Sequence, residues 1–133
     1  MDARVRRFVV NRAGERCEYC RLRQKDSELR HHIEHVVARQ HNGSDALDNL
    51  ALACHRCNLH KGPNLSGIDP ATGTTELLFH PRRDHWADHF VIRGAYIEGL
   101  SATGRATVEV LALNDARRIE LRQELMTLGE TDP

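Results

Sequence analysis

Apolar residues near the start of the chain recur at helical spacing. Val5, Phe8 and Val9, with Arg12 on the same side, predict a short amphipathic helix over residues 5–12, which Gly14 ends. Residues 29–37 contain the β-branched Ile33, Val36 and Val37 and predict a strand. It runs into the polar loop 39–44, where Asn42-Gly43 is a turn signal. Asp48 stands where a helix N-cap would, so residues 49–61 read as a helix stopped by Gly62-Pro63. Residues 63–73 are rich in turn formers. Beyond them, strands are predicted at 75–79, 90–98 and 105–113, with a short helix at 83–89. A last helix, 115–128, offers Ile119, Leu121, Leu125 and Leu128 for packing and ends before Gly129. The expected organisation is one α+β domain over 1–133, with a core at about 15–62 and an accessory part at about 75–129.

The 133 residues are 40% hydrophobic and 29% charged, which excludes a disordered tail. No apolar run approaches the roughly 18 residues of a membrane span. The opening residues are basic with no apolar stretch behind them, so a secretory signal is not expected and a cytoplasmic address is. Nineteen basic and nineteen acidic residues cancel, but unevenly. Residues 1–25 hold eight Arg or Lys against three acids, a net +5, and the remainder carries −5. The basic end suits either a phosphate-facing surface or a solvated helix face.

The four cysteines form two pairs, Cys17-x-x-Cys20 and Cys54-x-x-Cys57. In a reducing compartment disulfides are disfavoured. Four thiolates in two close pairs instead match the tetrahedral preference of Zn²⁺, so a structural zinc site is expected from Cys17, Cys20, Cys54 and Cys57. Two redox dithiols or four unconnected buried cysteines are the alternatives.

Between the cysteine pairs lies His31-His32-Ile33-Glu34-His35-Val36, and Asn58 directly follows Cys57. Zinc would hold the second pair near the strand and set Asn58 opposite Glu34 and His35. A carboxylate and an amide oxygen are hard donors suited to Mg²⁺ or Mn²⁺, and a neutral imidazole beside them can deprotonate water. Those are the parts of metal-assisted phosphodiester hydrolysis. Successive residues of a regular strand face opposite sides, so Glu34 and His35 converge on one ion only if the strand ends or bulges near Val36. A second histidine pair, His85 and His89, has i, i+4 spacing, but Trp86 and Phe90 share that spacing and favour packing.

Cys17-Glu-Tyr-Cys20, His32-Ile-Glu-His35-Val, Asn42-Gly-Ser-Asp-x-Leu-Asp-Asn49-Leu and Ala53-Cys-His-Arg-Cys57-Asn58-x-x-Lys61-Gly together resemble the HNH endonuclease family in its four-cysteine zinc form. The segments Pro63-Asn-Leu-Ser-Gly-Ile-Asp-Pro and Leu78-Phe-His-Pro-Arg resemble small bacterial members. The resemblance implies a β-hairpin followed by a helix around a catalytic metal. It further implies His35 as general base, Glu34 and Asn58 as ligands of Mg²⁺ or Mn²⁺, and Asn49 as an organiser of the loop. The acidic position is more often Asp in that family, and Glu34 is longer by one methylene. Lys61, one turn beyond Asn58, and Arg56 are candidate DNA contacts. The expected activity is nicking or weakly specific cleavage of DNA. The alternative is a non-catalytic zinc module that binds DNA or a protein partner.

Overall fold

The computed structural model describes residues 2–129, which divide into two compact units: residues 2–65 with 80–85, and residues 66–79 with 86–129. In the first unit, helix α1 (Ala3–Arg12) starts at Asp2, whose carboxylate accepts from the Arg4 and Val5 N–H groups. Gly14 follows it with φ of +65°. A four-residue strand, β1 (His32–His35), pairs antiparallel with β2 (Leu50–Ala53), with His32 opposite Ala53 and His35 opposite Leu50. Helix α2 (His55–Lys61) follows at once, giving a ββα unit. Val9 and Ala13 of the first helical segment pack on Leu50 and Leu52, with Val5, Val10 and Ile33 around them.

The expected helix over 49–61 is corrected here. Leu47–Asn49 is one 3-10 turn, Leu50–Ala53 is strand, and the α-helix begins only after Cys54, whose Sγ accepts from the Cys57 N–H. Leu-Ala-Leu-Ala carries no strand preference of its own. All four residues are buried; β1 pairs with one edge of the strand, while Glu18 and Arg12 take up backbone groups of Leu52 and Leu50 on the other, so tertiary context overrides helical propensity. The first strand is also shorter than the 29–37 expected, because Leu29 and Arg30 are exposed and outside the ladder.

The second unit contains two hairpins. β3 (Ser66–Ile68) pairs with β4 (Thr75–Leu77), and β5 (Phe90–Arg93) pairs with β6 (Tyr96–Gly99). Between the hairpins lies one turn of helix, α3 (Trp86–His89). The segment expected as one strand over 90–98 is thus a hairpin turning at Gly94, whose φ is +60°. The strand expected at 105–113 is instead helix α4 (Ala102–Val110), capped by Ser101. Its Val108 and Val110 mimic strand composition, but Gly104 lets the helix close on His89 and Gly99. A Cβ at Gly104 would stand 2.1 Å from the His89 carbonyl oxygen. Helix α5 (Ala116–Thr127) follows its N-cap Asp115, and Gly129 lies just beyond it. Trp86 and Phe90 stack with centroids 5.1 Å apart, and the His89 Nδ1 meets the Ser101 Oγ at 2.6 Å, so the packing reading of this segment holds.

Candidate active site and metal centre

Both cysteine pairs sit on tight turns that aim their sulfurs inward. The Arg21 N–H returns to the Cys17 carbonyl, and Arg16 pairs with Arg23 across the first knuckle. The second pair opens α2. All four Sγ atoms are buried and lie within 4.8 Å of one another, and Cys20 and Cys54 are 3.6 Å apart. Bonds of about 2.3 Å at tetrahedral angles put thiolates roughly 3.8 Å apart, so the cluster has the dimensions of a zinc site. The Cys20 and Cys57 N–H groups point at Cys17 and Cys54 Sγ at 3.5 Å, as donors to thiolate would. Burial pushes the Cys17 and Cys57 thiols well up, which a bound cation would reverse by taking thiolates directly. Among the described residues, no other group of three or more His, Cys, Asp or Glu side chains has the spacing to hold an ion.

Beneath the hairpin runs a buried polar chain. The Tyr19 hydroxyl donates to Glu34 Oε1 at 2.5 Å. On the other side, Lys61 Nζ pairs with Glu34 Oε2 at 2.9 Å and donates to the Val36 carbonyl at 2.9 Å. Lys61 is 2% exposed and Glu34 6%. Burial drives the Glu34 carboxyl upward overall, with Lys61, then Tyr19, pulling it back. The expected role of Lys61 at a DNA phosphate is therefore corrected. Its ammonium points inward and serves as the counter-ion of Glu34. Arg56 is half-buried on the same helix.

His35 has different partners. Its Nε2 lies 2.7 Å from Asp45 Oδ1, which also accepts from Arg39 Nη2 at 3.1 Å. Strand pairing continues without a bulge through His35 opposite Leu50, and the Val36 N–H donates to the Asn49 carbonyl at 2.9 Å. With ordinary alternation preserved, Glu34 is bound inside while His35 meets the loop. Convergence of the two on one ion would require local rearrangement. Asn49 stitches that loop together. Its Oδ1 accepts from the Val37 N–H at 2.9 Å, and its Nδ2 donates to the Val37 carbonyl at 3.0 Å and the Ser44 carbonyl at 2.8 Å.

The catalytic ion implied by the resemblance would take Glu34 and Asn58. Asn58 is half-buried, and among the described residues its side-chain amide has no hydrogen-bond partner. Glu34 already has the Tyr19 hydroxyl on Oε1 and the Lys61 ammonium 2.9 Å from Oε2. A divalent ion would compete with the Lys61 ammonium for this carboxylate.

Several contributing residues carried no sequence signal of their own. Tyr19 and Glu18 lie inside the first cysteine knuckle. Glu18 Oε2 accepts from the Leu52 N–H at 2.8 Å, and Oε1 pairs with Arg82. That ion pair gives the segment Leu78-Phe-His-Pro-Arg82 a task that its residues alone do not disclose. Burial lowers the Arg82 guanidinium to about 10.

Residues 17–64 match the family model described as HNH endonuclease. That match points to a nuclease or nucleic-acid-related function. The chain is also similar to the Septu protein PtuB of Bacillus thuringiensis, with 24% identity over 117 residues. That similarity covers 86% of this chain but 43% of the relative. No solved structure gives a significant match.

Proposed function

We propose that the protein is an endonuclease that hydrolyses phosphodiester bonds in DNA, with His35 as general base. The observation that carries this reading is the His35 imidazole at the end of β1, inside a matched HNH segment and beside a loop fixed by Asn49. The neutral imidazole takes a proton from water as the water oxygen attacks phosphorus in line. The P–O3′ bond breaks, leaving a 5′-phosphate, and the departing 3′ oxygen is protonated from solvent. A zinc held by Cys17, Cys20, Cys54 and Cys57 would support this reading by tying the first cysteine knuckle to the start of α2. DNA is the expected partner, with the basic N-terminal segment available to phosphates.

Conversion of supercoiled plasmid by wild type and His35→Ala tests the reading, with and without added Mg²⁺ or Mn²⁺. Wild-type nicking or linearisation that His35→Ala loses is expected; equal cutting by both removes His35 as base. A requirement for the added ion would mean that Glu34 leaves Lys61 for a metal. The Lys61–Glu34 pair favours one other reading, a non-catalytic zinc module binding DNA or a protein. Gel-shift retention of DNA without cutting by either form would select it.

A further inference from the structure

We propose that Asp45 is the positioning residue of His35, fixing the imidazole with its proton on Nε2 so that Nδ1 is the atom that accepts the proton of the attacking water. This rests on the reading of His35 as general base.

Three sets of contacts support it. The first is direct: Asp45 Oδ1 lies 2.7 Å from His35 Nε2. An ionised carboxylate only accepts, so the shared proton belongs to the imidazole, and in the neutral ring the free lone pair falls on Nδ1. The second is the hold on Asp45 itself. Arg39 Nη2 donates to the same oxygen at 3.1 Å, and hydrogen bonds from His35, then Arg39, hold the Asp45 carboxyl below its ordinary range. The carboxylate thus stays charged and can stabilise the imidazolium that proton transfer creates.

The third is the framework that brings the loop back to the strand. Asn49 grips Val37, two residues beyond His35, and Ser44, one residue before Asp45. Between these clamps the chain turns with Asn42 at φ of +64°, and the Gly43 N–H donates to the Ala38 carbonyl at 3.0 Å. A Cβ at Gly43 would lie 1.6 Å from the Val37 carbonyl oxygen, so only glycine lets the two arms approach this closely. The expected loop-organising task of Asn49 then gains a chemical purpose: it sets the register between an imidazole and its carboxylate. Both Asp45 and Arg39 side chains are mostly exposed, so the ion pair itself contributes little to stability. Its value lies in orienting the ring.

The test uses ring-¹⁵N-labelled full-length protein, with His35 resonances identified from the His35→Ala spectrum. At alkaline pH, where imidazoles are neutral, wild-type His35 is expected to show a protonated Nε2 and an unprotonated Nδ1. Asp45→Ala is expected to change the ¹⁵N pattern and lose the hydrogen-bonded Nε2–H proton. A wild-type ring protonated on Nδ1, or a pattern identical in Asp45→Ala, overturns the proposal whether or not the protein cuts DNA. In plasmid kinetics, Asp45→Ala should lower kcat roughly tenfold or more, on the scale of losing an outer-shell partner, with KM within about twofold. Its urea midpoint should match wild type. Asp45→Asn, which keeps an acceptor, should recover part of the rate. Unchanged or faster cutting by Asp45→Ala overturns the proposal alone. Cutting by His35→Ala at the wild-type rate overturns the general-base reading itself.

Discussion

Replacing Lys61 with methionine keeps most of the side-chain volume and deletes the charge beneath the hairpin. The loss has two parts. Glu34, buried with its side chain 5% exposed, would keep only the Tyr19 hydroxyl, and the Val36 carbonyl would lose its donor. Leaving one member of a buried pair uncompensated destabilises by about 3–5 kcal/mol, and both side chains here are too buried for solvent to screen much of that. Against total stabilities of about 5–15 kcal/mol, this is a large share. Urea unfolding followed by circular dichroism should show the midpoint falling by roughly 2 M, taking a slope of about 2 kcal/mol/M. The double variant Lys61→Met, Glu34→Gln should regain most of the loss, because it withdraws the stranded charge.

The loss should also shrink in acid. Burial already raises the folded-state carboxyl of Glu34, and removing Lys61 raises it further. The folded variant then binds a proton more tightly than the unfolded chain does, so its stability rises as pH falls through the interval above the usual carboxylate range. Two results would refute this account: a loss below about 1 kcal/mol at neutral pH, or no recovery in the double variant.

In the second unit, Asp69 should impose acid sensitivity of the opposite sign. Its carboxylate takes both arms of Arg105, at 2.9 and 2.8 Å, along with the Ala71 N–H and the Thr72 hydroxyl, and Arg105 is the main reason its carboxyl is held far below the usual range. The stability it contributes is present above the unfolded carboxyl value and is lost as pH falls below about 4. Asp69→Asn should melt earlier than wild type at neutral pH and converge with it in strong acid; parallel melting curves across the series would contradict the pairing. For the cysteine cluster, purified protein should contain about one zinc per chain, and Cys57→Ser should lose metal and folded signal together. A folded wild type free of metal would eliminate the zinc site.

Residues whose chemistry is written in local spacing were legible in the sequence. The paired cysteines announced their cluster, the glycines at 14 and 129 marked helix ends, and Asp115 capped the helix expected after it. Elements whose identity depends on distant neighbours were not. Leu50–Ala53 looks helical in isolation and is extended because β1 lies beside it. Ala102–Val110 looks strand-like and is helical because glycines at 99 and 104 permit close packing. The same division runs through the site. The candidates Glu34, His35, Asn49 and Asn58 are proposed from their order along the chain. That Lys61 turns inward, that Tyr19 reaches Glu34, and that Asp45 meets His35 depend on how segments 10 to 27 residues apart are folded against each other.

Helix α2 has only seven residues, far fewer than the 12–15 at which isolated helices become even marginally stable in water. Its shape is therefore imposed at its two ends, by the cysteine cluster where it begins and by Lys61 where it stops. Between these fixings the Asn58 side-chain amide, among the described residues, makes no hydrogen bond. A polar exchange at position 58 would therefore break no side-chain hydrogen bond of the described fold. For anyone wishing to retune the protein, position 58 is the natural place to install a different donor, a reporter group or a cross-linking side chain.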